Sequence, residues 1–142
     1  MVDGLRSAGE MATSILDRAG LRPTRQRLLI AKVLFEQGDR HVTAEQLHSE
    51  AEARGAAISL ATVYNTLNQF RAAGLIREVV VEAGRAYFDT NVSDHHHLYD
   101  ATHGRLQDVP SNLVSVEVLP EIPEGFSIDR VDVVIRLKAK DK

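Results

Sequence analysis

The chain has 142 residues, no cysteine, no tryptophan and a formal net charge of −3. That length holds one ordinary domain or two small ones, and the missing thiols exclude disulfides, thiolate zinc sites, iron–sulfur clusters and cysteine nucleophiles. No apolar run approaches the roughly 20 residues of a membrane span, and Met1 to Glu10 lack the apolar core of an export signal, so a cytoplasmic protein is expected.

In chain order, Met11, Ile15 and Leu16 stand at helical spacing and Gly20 stops the run. Thr24 is placed to cap a second helix, with Leu28, Leu29, Ala31, Val33 and Leu34 as its buried side. This stretch is also the basic part of the chain: Arg18, Arg22, Arg25, Arg27, Lys32 and Arg40 face only Glu36 and Asp39. A basic stripe lets a mildly acidic protein bind DNA locally. Thr43-Ala-Glu-Gln46 has the form of a capping box, a hydroxyl cap answered three residues later by Gln. The helix it opens carries Leu47 and Ala51 inward and stops at Gly55. Ser59 caps a fourth helix, with Leu60, Val63, Leu67 and Phe70 on one stripe. The opposite face offers Ala61, Thr62, Asn65, Asn68 and Gln69. Short, uncharged donors and acceptors suit a surface meant to lie against base edges.

The period then changes. Leu75 to Val81 and Arg85 to Thr90 read as strands joined by a Glu82–Arg85 hairpin loop. Three helices followed by a hairpin is the winged-helix order, in which one helix enters the major groove. The expected class is α+β. A winged helix-turn-helix domain occupies residues 1–90, and a small, mainly β dimerisation and ligand-sensing domain occupies 91–142. In the second part His96 to Ala101 and Arg105 to Val109 pair across a turn at Gly104. Further strands are expected at Asn112 to Leu119, by alternation, and at Ser127 to Leu137. So few strands close most simply by pairing with a second subunit. A frayed tail is expected at Lys138 to Lys142. No Gly-rich phosphate loop, Gly-x-Ser-x-Gly elbow or paired-carboxylate pattern is present, and no enzymatic activity is expected.

Asp94-His95-His96-His97 is the main chemical signal. On a strand His95 and His97 project to one side and His96 to the other. Paired imidazoles beside carboxylates suit Zn²⁺, Fe²⁺ or Mn²⁺; exposed imidazoles also suit haem iron. Local spacing does not decide between them. Asp89, Asp94, Asp100, His103 and Asp108 surround the run, and His41 falls in the turn before the third helix.

Four segments together resemble the ferric uptake regulator family, and within it the iron response regulator branch. They are Ala19 to Arg27, His41 to Leu47, Ser59 to Phe70 with its Ala-Thr-Val-Tyr core, and the histidine run. The resemblance implies a homodimer that binds an AT-rich inverted repeat in double-stranded DNA and controls haem-synthesis and iron-handling genes. It implies DNA contacts from Ser59, Ala61, Thr62, Tyr64, Asn65 and Asn68, with Arg22 at the minor groove and Arg27 on phosphate. It maps a regulatory metal site onto His41, Asp89, His95, His97 and Asp108. For the branch it implies haem at His95, His96 and His97, weakening DNA binding; the alternative is direct Fe²⁺ or Mn²⁺ sensing, with metal promoting DNA binding. A second family site is incomplete, reduced to Asp94 and His96. Cysteine-based structural zinc is not expected, because the first Cys-x-x-Cys pair of relatives falls at Asp100 and His103 and the second has no counterpart. Pro120 and Pro123 oppose the helix that relatives carry near Ser111 to Gly125.

Overall fold

The computed structural model describes residues 8–82 and 84–140. The start of the Met1–Glu10 stretch, the second position of the Glu82–Arg85 loop and the last two residues of the Lys138–Lys142 tail lie outside the described residues. The chain divides into two units, Met1–Val92 and Ser93–Lys142.

The first unit runs α1 (Ala8–Arg18), α2 (Arg25–Phe35), β1 (His41–Val42), α3 (Ala44–Ala53), α4 (Leu60–Ala72), β2 (Arg77–Glu82) and β3 (Arg85–Asp89). Local hydrogen bonding sets the helix starts. Thr24, Thr43 and Ser59 each hold extended backbone, and each accepts an N–H from the first turn of its helix with the side-chain oxygen. At Thr43 the box is reciprocal, with the Gln46 side chain returning to the Thr43 N–H. Each such cap is worth about 1 kcal/mol. The helix ends are set the same way. After α4 the Gly74 N–H reaches Arg71 O and the Leu75 N–H reaches Phe70 O. This closure needs a left-handed residue, and Gly74 supplies it at φ +79°.

The core of the unit lies where the helices meet. Leu16, Ile30, Leu34, Leu47, Leu67 and Phe70 are wholly buried there. The α4 stripe is as expected, except that Leu60 is half-buried and Thr66 joins Val63, Leu67 and Phe70 inside. Thr66 is tolerated there because its hydroxyl donates to Thr62 O at 2.8 Å. In the hairpin, β3 pairs with β2, and β1 adds to its other edge with His41 opposite Asp89. His41 is therefore on a strand and not in a turn. Next to this pair the Thr90 N–H donates to Arg40 O at 3.0 Å, and the Arg40 N–H donates to the Thr90 hydroxyl oxygen at 2.8 Å.

The second unit holds β4 (His95–Asp100), β5 (Arg105–Pro110) and β6 (Val134–Leu137), in the order β5-β4-β6. β5 is antiparallel to β4 across the Gly104 turn, as expected, while β6 runs parallel. Asn112 to Leu119 does not form the expected strand. Ser111–Leu113 is a single 3₁₀ turn, and the following residues have neither helix nor strand up to β6. Alternation alone is not enough here: a strand exists only with a hydrogen-bonded neighbour, and among the described residues no strand pairs with this segment. The expected Ser127–Leu137 strand is reduced to Val134–Leu137, the four residues in register with His97–Asp100 of β4. No α-helix forms across Pro120 and Pro123. Among the described residues no helix is long and apolar enough to cross a membrane.

Candidate metal-ligand sets and nucleic-acid-facing helix

Strand register sets the candidate ligands side by side. In the first unit, His41 and Asp89 are directly opposite on β1 and β3, so their side chains share a face. His41 Nε2 lies 3.4 Å from Asp89 Oδ2. The Asp89 carboxylate is fully buried and is oriented by the Asn91 N–H, which donates to Oδ1 at 2.9 Å.

In the second unit, His97 pairs with Asp108 across β4 and β5, and His95 stands two residues along the same face. All three histidines of the run are buried. His95 Nε2 is 3.2 Å and His97 Nε2 3.5 Å from the same Asp108 Oδ1, and the two rings meet edge to face at 4.7 Å. His95 Nδ1 is 2.6 Å from Ser93 O, which can only accept, so Nδ1 carries a proton and Nε2 is the nitrogen turned to Asp108. His95, His97 and Asp108 each offer a donor atom within 4.8 Å of the others.

These separations fit a shared cation. Two ligands bound at about 2.1 Å with an angle between 90° and 109° stand roughly 3.0–3.4 Å apart. The nitrogen and oxygen donors suit a borderline divalent metal rather than a soft one. His96 points the other way, as alternation requires, and its Nδ1 accepts the Val133 N–H at 3.2 Å. With Asp94, Val114, Val116, Leu119 and Arg130 it lines a cavity of about 520 Å³.

In place of a Cys-x-x-Cys pair, the β4–β5 turn carries an ion pair. His103 Nδ1 lies 2.6 Å from Asp100 Oδ2, while the N–H groups of Thr102 and His103 donate to Oδ1. The His103 hydrogen bond, before any other cause, holds the Asp100 carboxyl below its ordinary range. A depressed carboxyl contributes stability that is present above its unfolded value near 4 and is lost as pH falls through the lower folded value. Asp100→Asn is therefore expected to flatten the acid limb of an unfolding-versus-pH curve. An unchanged acid limb would mean that the pair contributes nothing.

The polar face of α4 is exposed at Ala61, Tyr64, Asn65, Asn68 and Gln69. The cap ties Ser59 Oγ to Thr62, at 3.1 Å to the N–H and 2.9 Å to the hydroxyl. Arg22 is exposed. Arg27 is held against α4, its Nε donating to Gln69 Oε1 and Nη1 to Arg22 O, both at 3.0 Å. Thr24, Gln26 and Arg27 of the α2 start, with Thr62, Asn65 and Gln69 of α4, line a polar cleft of about 280 Å³. Two participants escaped the sequence reading. Gln69 belongs to the polar face that the spacing marks, but its role as the anchor of Arg27 has no local signal. Glu45, on α3, receives the Tyr64 hydroxyl at 3.1 and 3.2 Å. Nothing in the local spacing points to a pair 19 residues apart. Desolvation first, and Glu45 second, raise the Tyr64 phenol above its usual value, so it stays protonated at neutral pH.

Four helices, a short strand between the second and third, and a hairpin after the fourth make an α+β winged helix-turn-helix unit, followed in the chain by a small β unit. The ferric uptake regulator family matches residues 18–136, and the chain belongs to that family. The ferric uptake regulation protein of Vibrio vulnificus (strain CMCP6) is 33% identical over 114 residues, covering 80% of this chain and 76% of that protein. That of Shigella flexneri is 43% identical over 81 residues, covering 57% and 55%. Against such relatives the chain spans about half the length of the curated proteins it matches. Among solved structures, the ferric uptake regulator of Pseudomonas aeruginosa with manganese superposes with a TM-score of 0.69 at 27% identity, covering 92% of this chain and 98% of that one. The ferric uptake regulator of Vibrio cholerae superposes with a TM-score of 0.71 at 26% identity, covering 89% and 98%.

Proposed function

We propose that the chain is a metal-responsive, DNA-binding transcriptional regulator of iron homeostasis, in which a divalent cation such as Fe²⁺ or Mn²⁺ promotes operator binding. The observation that carries this reading is the set of nitrogen-to-oxygen separations at His41/Asp89 and at His95/His97/Asp108, each close to that of two ligands on one ion. The manganese in the related Pseudomonas aeruginosa structure is consistent with it. The ligands are assigned to His41 and Asp89 in the first unit and to His95, His97 and Asp108 in the second.

The DNA contacts are assigned to the exposed α4 face, with Ser59, Ala61, Thr62, Tyr64, Asn65 and Asn68, and to Arg22 and Arg27. An AT-rich inverted repeat calls for a homodimer. The apolar surface of the second unit supports one, with Leu113, Val118 and Phe126 each more than two-thirds exposed, as do the outer edges of β5 and β6, which no strand among the described residues covers. No reaction of its own is assigned to the chain.

A second reading, that of the iron response regulator branch, has haem at the His95–His97 run weakening DNA binding. The cavity beside His96 offers it an imidazole and apolar walls of Val114, Val116 and Leu119, although Asp94 and Asp129 also line it and Arg130 is bonded to Asp132 Oδ2 at 2.8 Å. One experiment tests both readings. The purified protein is titrated onto an AT-rich inverted-repeat duplex at fixed salt, since phosphate contacts make affinity salt-dependent, with Mn²⁺ and separately with haem. Tightening by Mn²⁺ with haem inert supports the first reading. Weakening by haem supports the second and makes His96→Ala the next variant. No response to either overturns both.

A further inference from the structure

β1 is two residues long and has two register pairs with β3, His41 with Asp89 and Val42 with Phe88. A strand that short is not held by its ladder alone, yet it carries one first-unit ligand and sets it opposite the other. What holds it lies at its ends. After Val42 the Thr43 cap leads directly into α3. Before His41 stands Arg40, which belongs to neither ligand set and is gripped from two sides.

On one side is Thr90, buried and directly after the ligand Asp89. Its N–H donates to Arg40 O at 3.0 Å, and its hydroxyl oxygen accepts the Arg40 N–H at 2.8 Å. A side-chain oxygen thus stands in for the main-chain carbonyl that one more strand residue would supply. The chain bends at Thr90, where β3 has ended, with this neighbour still tied. On the other side is Glu50, the seventh residue of α3. Arg40 Nη1 and Nη2 donate to its two carboxylate oxygens at 2.8 and 2.6 Å. A bidentate guanidinium–carboxylate pair fixes direction as well as distance. The pair is partly shielded from water, with side chains 20% and 38% exposed.

We propose that Thr90 and Glu50 are positioning residues for the metal site: gripping Arg40 between them, they hold His41 against Asp89 before an ion arrives. This rests on the reading of that pair as metal ligands. Without the grip β1 leaves β3 for part of the time, and the measured affinity falls in proportion to the fraction of chains that keep the pair together. One net hydrogen bond corresponds to about fivefold in such an equilibrium.

The test is calorimetric titration of the full chain with Mn²⁺, beside melting curves recorded without metal. Thr90→Val keeps shape and charge and removes the hydroxyl; it is expected to weaken Mn²⁺ binding about fivefold. Thr90→Ser, which keeps the hydroxyl, is expected to bind like wild type. Glu50→Ala releases Arg40 from the side nearer solvent and is expected to weaken binding about threefold, within the range of a partly exposed ion pair. It keeps the test decisive if the Thr90→Val chain does not fold. In a His41→Ala background both losses are expected to vanish, since β1 then carries no ligand to position. A merely structural Thr90 lowers the melting temperature and leaves the Mn²⁺ affinity alone, and a bare charge effect of Glu50 persists without His41. The inference is overturned if Thr90→Val and Glu50→Ala bind Mn²⁺ like wild type. It is also overturned by a Thr90→Ser chain as weak as Thr90→Val, or by losses that persist in the His41→Ala background. A wild-type chain that does not bind Mn²⁺ overturns the metal reading and this inference with it, so the two failures are told apart.

Discussion

His97→Ala is expected to lower the affinity for Mn²⁺ by on the order of 100-fold, the upper end of what loss of a metal-site partner costs. The argument is geometric. His97 is fully buried, stands opposite Asp108 in the β4–β5 register, and brings its Nε2 to 3.5 Å from the carboxylate oxygen that His95 Nε2 also approaches. Removing it takes a nitrogen from the set and leaves Asp108 with one imidazole in place of two. His96→Ala is the internal control. It alters the same strand by the same chemistry on the opposite face, and the Mn²⁺ affinity is expected to stay within about twofold of wild type, because ligands on one face of a strand are not shared with the other. Isothermal titration of the two variants and the wild-type chain reads the difference directly. A His97→Ala chain that binds Mn²⁺ like wild type would remove the second-unit set from the metal proposal. Melting curves recorded without metal separate lost affinity from lost folding, since His97→Ala also opens space in a buried position.

Phe70→Ala is expected to destabilise the first unit by about 3–5 kcal/mol, the usual cost of deleting a buried aromatic side chain. Phe70 is wholly buried in the last turns of α4, and its ring centroid lies 6.3 Å from that of Phe35 at the end of α2. Its backbone carbonyl also accepts the Leu75 N–H that closes the helix, and this bond survives the substitution. The loss therefore isolates side-chain packing. Since native domains hold only about 5–15 kcal/mol in all, the variant should sit close to the unfolding threshold. Asn68→Ala, two residues earlier on the exposed face, is expected to change stability by no more than about 0.5 kcal/mol. Denaturant unfolding reads both changes as shifts in midpoint. Equal midpoints for the two variants would contradict the assignment of an inner and an outer face to α4.

The two faces of α4 were legible before any coordinates. So were the Thr24, Thr43 and Ser59 caps and the Gly74 stop, because all of them follow from hydrogen bonds and spacings spanning fewer than six residues. The divergence of His96 from His95 and His97 was legible for the same reason, since alternation along a strand is a local property. The pairing of β1 was not. A two-residue strand has no periodicity, and His41 becomes part of one only because β3, nearly fifty residues later, supplies the partner edge. The Asn112–Leu119 alternation misled in the opposite sense: its pattern suits a strand, but among the described residues no strand edge pairs with it.

The sequence by itself determined the helix starts and stops, the polar face of α4, the hairpin, the absence of thiol chemistry and the resemblance that nominated the ligand set. Tertiary structure alone decided which donors lie within a bond length or two of one another. It set His41 against Asp89, set His97 and His95 against Asp108, turned His96 toward a separate cavity, and gave the Tyr64 hydroxyl to Glu45. The physical reason is the range of the interactions. Caps and periodicity are written in a few consecutive residues, whereas strand register and helix-to-helix side-chain bonds join residues whose neighbourhood exists only after the chain has paid the entropy of bringing them together.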